Sequence, residues 1–99
     1  MKEVTVKEFK EMQDKKEDFQ LIDVREAHEV EAAAMGGEHI PMGEVMENLH
    51  KISKQKKVII HCRSGARSGA IIQALESKGF TNLYNLKGGI LAYAEQHDK

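Results

Sequence analysis

The sequence predicts an α/β fold in which a mostly parallel sheet is covered by helices on both faces. Two observations support this prediction. Short apolar runs, Leu21-Ile22 and Val58-Ile59-Ile60, have the character of buried strands. Each run is followed by a segment with helical spacing, and such alternation is typical of parallel sheets. A chain of 99 residues has the usual size of one domain, so we expect a single domain over residues 1–99.

The first predicted strand and helix lie at the start of the chain. Val4 and Val6 indicate a short strand. Val6, Phe9 and Met12 have the spacing of one helical face, and Thr5 is a suitable N-cap for that helix. We therefore expect a strand that passes almost directly into an amphipathic helix.

Three further elements are predicted before the middle of the chain. Residues 20–25 indicate a second strand, and residues 26–34 a short helix that ends at Gly36-Gly37. Residues 38–41 are expected to be extended, because the residue before a proline avoids the helical region. A third helix is predicted from four apolar residues spaced for a buried face: Val45, Met46, Leu49 and Ile52.

The second half repeats the alternation. The strand at residues 58–60 precedes a helix over about residues 67–78, which Gly79 ends. Residues 82–86 indicate a last strand, and after a Gly88-Gly89 turn residues 90–96 indicate a last helix. The chain thus supplies strands and helices in nearly equal number.

Composition limits the classes of partner. Fifteen basic and sixteen acidic residues leave a formal net charge of −1, which provides no overall field for nucleic acid or an anionic membrane. The single cysteine has no partner for an internal disulfide, and the histidines have no metal-ligand spacing. No segment resembles a signal peptide or a membrane span. We expect a cytoplasmic protein without a metal.

The cysteine lies in the stretch HCRSGARSGA, between a predicted strand and a predicted helix. At the carboxyl end of a strand, a loop that enters a helix presents unpaired backbone N–H groups, and these favour an anion. Gly65 allows these groups to converge, and Arg63 and Arg67 add positive charge. Such surroundings lower the pKa of a thiol. Cys62 is therefore predicted to be reactive and to ionise readily, rather than to fill a gap in the core.

Three polar residues lie next to Cys62 in the chain or at the same predicted edge of the sheet. His61 is adjacent to Cys62, but consecutive strand residues point to opposite faces, so we expect His61 to pack beneath the sheet. Cys62 then depends on its electrostatic surroundings rather than on a Cys–His pair. Asp23 and Arg25 lie at the carboxyl end of their own strand. They either order the cysteine loop by charge-assisted hydrogen bonds or form an ion pair that only satisfies the strand end.

Four segments in order along the chain resemble those of rhodanese-like sulfurtransferases. They are LIDVRE at residues 21–26, HIP at residues 39–41, CRSGARS at residues 62–68 and LKGGILAY at residues 86–93. Tyr93 replaces the tryptophan that is common near the end of the family's pattern. Each match is short, but the ordered set is specific to this family.

The resemblance implies a rhodanese-like three-layer α/β/α domain with a mostly parallel five-stranded sheet. It implies that Cys62 carries a persulfide, taking a sulfane sulfur from thiosulfate or another persulfide donor and passing it to cyanide or a thiol. The substrate-binding loop would comprise Arg63, Ser64, Gly65, Ala66 and Arg67. No cofactor is implied, because the covalent sulfur is itself the transferred group. A sulfur-donating or sulfur-accepting protein is a further possible partner.

Two alternatives stay open at this point. One is a binding or sulfur-relay module that requires a partner protein. The other is a cysteine-dependent phosphatase, since related folds attack phosphate esters with a cysteine–arginine loop. Four residues separate Cys62 from Arg67, whereas cysteine phosphatases characteristically have five. A phosphoryl group brings three equatorial oxygens that all need donors, so the shorter loop favours sulfur.

Overall fold

The computed structural model describes residues 1–97 and contains a five-stranded sheet. Asp98 and Lys99, the last two residues of the predicted domain, lie outside the described part. The strands are β1 (Lys2–Val4), β2 (Phe19–Asp23), β3 (Glu38–His39), β4 (Lys57–His61) and β5 (Leu83–Leu86). Their order is β1-β5-β4-β2-β3, and every pairing is parallel. The structure confirms the predicted fold class, with a sheet that is wholly parallel.

Residues 1–97 contain four α-helices, of which the first three lie between strands and the last follows β5: α1 (Val6–Asp14), α2 (Ala27–Ala32), α3 (Ala66–Glu76) and α4 (Gly89–His97). Thr5 is the N-cap of α1, as predicted, and it forms a capping box with Glu8. Because Thr5 caps the helix, the first strand stops at Val4 and Val6 belongs to α1. None of the helices within residues 1–97 is long and apolar enough to span a membrane.

Successive side chains along β4 point to opposite faces of the sheet, and a separate hydrophobic core lies on each face. Val58, Ile60 and Cys62 face one core, whereas Ile59 faces the other. Helix α3 packs on the first face through Ile71, Ile72 and Leu75. On the second face, Phe9 of α1 meets Tyr93 of α4 edge to face, with ring centroids 6.0 Å apart. The result is the expected three-layer α/β/α arrangement.

The predicted third helix is wrong in type. Residues 42–51 form two 3₁₀ segments, Met42–Glu47 and Leu49–Lys51. The Asn48 side chain donates to the Glu44 carbonyl oxygen at 2.8 Å, which occupies a backbone acceptor that an α-helix would use. With three residues per turn, Met46 leaves the face that holds buried Val45, and it is 42% exposed.

The predicted helix at residues 26–34 is shorter than expected. Helix α2 stops at Ala32, because Ala33 has an extended backbone with φ −165° and ψ 138°. The two glycines that mark the predicted end serve the following turn instead. Gly37 has φ +85°, and a Cβ there would lie 2.7 Å from the Leu21 carbonyl oxygen. This glycine therefore allows the chain to cross closely beside β2.

Candidate active site

Cys62 directly follows β4, at the carboxyl edge of the sheet, and α3 begins four residues later. The loop can turn this tightly because Gly65, the N-cap of α3, has φ +109°. That conformation directs the Gly65 N–H toward the Cys62 sulfur, with an N···S distance of 3.1 Å. The backbone N–H groups of Ser64 and Ser68 are also near enough to this sulfur to lower the pKa of Cys62. A ring of N–H donors around the sulfur is the arrangement that the sequence predicts.

Opposing effects determine the ionisation of Cys62, which is only 1% exposed. Burial raises the pKa of the thiol, because a charge is poorly solvated in the interior. Hydrogen bonds from the Ser68 hydroxyl and from the backbone N–H groups of Ser68, Gly65 and Ser64 act in the opposite direction and outweigh burial. The net pKa of Cys62 is therefore lowered. The direction is as predicted, but its main source is this hydrogen bonding rather than the two arginines.

Ser68 and Asn85 belong to the site, although the sequence reasoning did not place them there. Both are buried, with 0% and 3% of their surface exposed. The Ser68 hydroxyl lies 3.4 Å from the Cys62 sulfur and donates to the Asn85 side-chain oxygen at 2.6 Å. Asn85 in turn donates to the Gly65 carbonyl oxygen at 3.0 Å. The sequence offered one signal for Asn85, since it is the only amide side chain in the last strand, β5.

Arg67 is already engaged within the protein. Its guanidinium donates to both carboxylate oxygens of Glu29, at 2.7 and 2.8 Å. These hydrogen bonds raise the pKa of Arg67, and the negative charge of ionised Cys62 raises it further. The same hydrogen bonds lower the pKa of Glu29 to about 2. Arg67 therefore holds α2 against the cysteine loop, and an anionic ligand must compete with Glu29 for it.

Arg63 differs from Arg67 because it is exposed and, within residues 1–97, makes no ion pair or side-chain hydrogen bond. Its side chain lines a cavity of about 270 Å³. Apolar side chains form much of the remaining wall: Ala32, Ala33, Ile90, Leu91 and Ala94. Of the two predicted anion-binding arginines, Arg63 is the one whose charge is available to a ligand.

Among residues 1–97, Asp23 and Arg25 make no hydrogen bond or ion pair with the loop at residues 62–67. They form a buried pair in which Arg25 Nη2 lies 2.7 Å from Asp23 Oδ2. Arg25 also donates to the Glu29 and Ala33 carbonyl oxygens, at 3.3 and 2.8 Å, at the end of α2. Burial raises the pKa of Asp23, but the Arg25 hydrogen bonds outweigh it and the net pKa is lowered. The pair thus fixes α2, which carries Glu29.

His61 is fully buried on the side of β4 opposite to Cys62. Its Nε2 lies 3.8 Å from Asp23 Oδ2, and neither ring nitrogen has a hydrogen-bond partner among the described residues. Burial lowers the pKa of His61. The ring therefore packs beneath the sheet, as expected, and is not placed to act as a base for the thiol.

The carbonyl side of the loop is held by α4. Ile90 N–H donates to the Cys62 carbonyl oxygen at 3.0 Å, and Leu91 N–H to that of Arg63 at 3.1 Å. This approach requires Gly89, where φ is +60° and a Cβ would lie 2.5 Å from both carbonyl oxygens. The first N–H groups of α4 have no partner within their own helix, and they bind the carbonyl oxygens of the cysteine loop. The N–H groups of the same loop face the sulfur.

Comparisons with known proteins agree with the geometry. Residues 5–96 match the Rhodanese-like domain family. Protein YqhL of Bacillus subtilis, which has no assigned function, is 39% identical over 90 residues, covering 90% of this chain and 69% of YqhL. A sulfurtransferase of Allochromatium vinosum is 35% identical, covering 79% of this chain and 74% of its own.

Solved structures give the same result. The rhodanese-like domain protein of Staphylococcus aureus superposes with a TM-score of 0.86 at 30% identity, over 94% of this chain and 91% of its own. With a five-stranded parallel sheet and a cysteine ringed by N–H donors at its carboxyl edge, this chain belongs to the rhodanese-like domain family.

Proposed function

We propose that the protein is a sulfurtransferase that carries a sulfane sulfur as a persulfide on Cys62. The observation that carries this proposal is the sulfur of Cys62 facing the Gly65 N–H at 3.1 Å, at the start of α3. A site that stabilises a thiolate also suits the terminal sulfur of a persulfide, which carries negative charge. The loop from Arg63 to Arg67 is the proposed binding site for an anionic donor such as thiosulfate.

The proposed reaction has two displacement steps. The Cys62 thiolate attacks the sulfane sulfur of thiosulfate, a new S–S bond forms, and sulfite leaves with the electron pair of the broken bond. Cyanide or a thiolate then attacks the outer sulfur of the persulfide. Thiocyanate or a new persulfide is released, and the Cys62 thiolate is regenerated with its electron pair. No external oxidant is needed, because the sulfur is already in the sulfane state.

The surroundings of Cys62 favour a small donor over a phosphate ester. Because Cys62 is only 1% exposed, a donor has little room to bring a reacting atom within about 3–3.5 Å of the sulfur. A loop with only four residues between Cys62 and Arg67 offers a smaller ring than phosphoryl transfer needs. Arg67 is also engaged by Glu29, which leaves fewer donors for equatorial phosphate oxygens.

Intact-mass measurement after incubation with thiosulfate tests the proposal. The wild-type protein should gain the mass of one sulfur atom, and a thiol reductant should remove it. Cys62→Ser, the matched control, should gain nothing and should lack thiosulfate:cyanide activity. Retained activity in Cys62→Ser would overturn the assignment.

Two further assays on the same preparation separate the alternatives. Cys62-dependent hydrolysis of an aryl phosphate that exceeds sulfur transfer would identify a phosphatase. Sulfur loading from a protein persulfide but not from thiosulfate would identify a relay that works with a partner protein. A reduced thiol is required in either case, so we propose the cytoplasm as the compartment.

A further inference from the structure

The Ser68 hydroxyl has one proton and three acceptors within reach. The Asn85 side-chain oxygen lies 2.6 Å away, the Gly65 carbonyl oxygen 3.3 Å and the Cys62 sulfur 3.4 Å. A hydroxyl donates fully to only one acceptor at a time. The distances place the proton toward Asn85, so the hydroxyl is not committed to the sulfur beside it.

Ser68 and Asn85 are both almost completely buried, so bulk water does not compete for their hydrogen bond. Asn85 lies in β5, and its position is fixed independently by the hydrogen bond from its side-chain nitrogen to the Gly65 carbonyl oxygen. That carbonyl also accepts the Gly69 N–H at 3.0 Å, the first backbone bond of α3. The loop backbone thus keeps one anchor even without Asn85.

We propose that Asn85 is a positioning residue whose side-chain oxygen accepts the Ser68 O–H and so limits how strongly Ser68 stabilises the Cys62 thiolate. The inference deepens the proposed sulfur transfer and rests on it. Asn85 touches neither the sulfur nor a donor, and it acts through Ser68. A thiolate that is stabilised less is a stronger nucleophile toward the donor, because intrinsic nucleophilicity falls with pKa.

The same competition applies in the second step. When an acceptor takes the outer sulfur, Cys62 leaves as a thiolate and its charge returns to the buried atom. Rotation of the Ser68 hydroxyl by one staggered position would turn its proton from the neutral amide oxygen toward that charge, and a hydrogen bond to a charged acceptor is the stronger one. Because the same thiolate attacks the donor in the next cycle, the Asn85 oxygen competes with the sulfur for this proton in both steps.

The pH dependence of Cys62 alkylation by iodoacetamide tests the inference. Asn85→Leu keeps the approximate shape of the side chain but removes the acceptor that competes for the Ser68 proton. The pH midpoint of Cys62 alkylation should therefore fall. At a fixed pH below the wild-type midpoint, alkylation should be about threefold faster, since more thiolate forms but each thiolate is less nucleophilic. Ser68→Ala should raise the midpoint. The double variant should behave like Ser68→Ala alone, because the proposed effect of Asn85 on the sulfur passes through the Ser68 hydroxyl.

Asn82→Leu is the matched control. Asn82 also donates from its amide to two carbonyl oxygens, those of Ser53 at 2.7 Å and Lys56 at 2.6 Å, but far from the cysteine loop. This variant should lose stability and leave the midpoint unchanged. If Asn85→Leu does not fold, Asn85→Ala removes the same oxygen and gives the same comparison.

Two results would overturn the inference. One is an alkylation midpoint in Asn85→Leu that is unchanged or higher than in wild type. The other is that Asn85→Leu lowers the midpoint by the same amount when Ser68 has already been replaced by alanine. Alkylation requires no sulfur donor, so this outcome is independent of the proposed function. If thiosulfate loads the wild-type protein and the midpoints fail to move as expected, only the role of Asn85 is wrong. If the midpoints move and no persulfide forms from any donor, only the proposed function is wrong.

Discussion

Replacing Glu29 by glutamine isolates the charge that ties α2 to the cysteine loop. Glu29 has two roles, since its carboxylate pairs with Arg67 and its Oε1 also accepts the Glu26 N–H at 3.0 Å at the start of α2. Glutamine can keep the second role, because either residue completes a capping box. The variant therefore removes the ion pair while it preserves the helix cap.

The structure sets the size of the expected effect. The pair is bidentate, which strengthens it, but the Arg67 and Glu29 side chains are 34% and 19% exposed, so solvent screens it. The depression of the Glu29 pKa from 4.5 to about 2 would correspond to a larger energy without that screening. We expect Glu29→Gln to lower the free energy of unfolding by about 1 kcal/mol at neutral pH.

The sign of the pH dependence follows from the direction of the shift. The pKa of Glu29 is lower in the folded protein than its usual value, so the ion pair contributes fully above pH 4.5. Its contribution decreases as the pH falls toward the folded-state value of about 2. The wild-type protein and Glu29→Gln should therefore converge in stability over this range.

Urea unfolding at neutral and at acidic pH measures both quantities. Glu31→Gln is the control, because Glu31 lies on the same helix, is exposed, and pairs with no residue in the described part of the chain. The reasoning would be refuted if Glu29→Gln cost no more than Glu31→Gln at neutral pH. It would also be refuted if the difference from wild type persisted undiminished near pH 2.

Three further predictions concern the loop itself. Arg63→Ala should raise the KM for thiosulfate about tenfold, which is at the low end of the effect of losing a charge-assisted hydrogen bond, because Arg63 is exposed. An unchanged KM in steady-state kinetics would show that Arg63 binds no donor. The midpoint of wild-type Cys62 alkylation should lie below that of free cysteine, since the pKa is lowered, and a midpoint at or above it would contradict the site geometry. Gly89→Ala should cost about 1–3 kcal/mol in urea unfolding, because its Cβ would press on two carbonyl oxygens. Gly43→Ala, where nothing lies within 4 Å, is its control, and equal losses in both variants would contradict the packing argument.

The sequence alone determined the fold class and placed Cys62 between a strand and a helix, at the carboxyl edge of the sheet. Both depend on short-range patterns: apolar runs such as Val58-Ile59-Ile60 predict buried strands, and a glycine-containing loop between a strand and a helix predicts an anion site. The Thr5 cap was predictable for the same reason, since a capping box involves residues only three positions apart. The burial of His61 followed from strand alternation.

Only the tertiary structure decided which groups share the site. Glu29 and Arg67 are 38 residues apart in the chain, and Ser68 and Asn85 are 17 apart, so no local pattern joins them. Arg67 therefore looked free for an anion in the sequence, whereas in the fold α2 places a carboxylate against it. The 3₁₀ segments arose similarly, because spacing alone did not reveal that Asn48 would take a backbone acceptor. Local preferences are encoded by neighbouring residues, but the partner of a charge or a hydroxyl is chosen by which elements the folded sheet brings together.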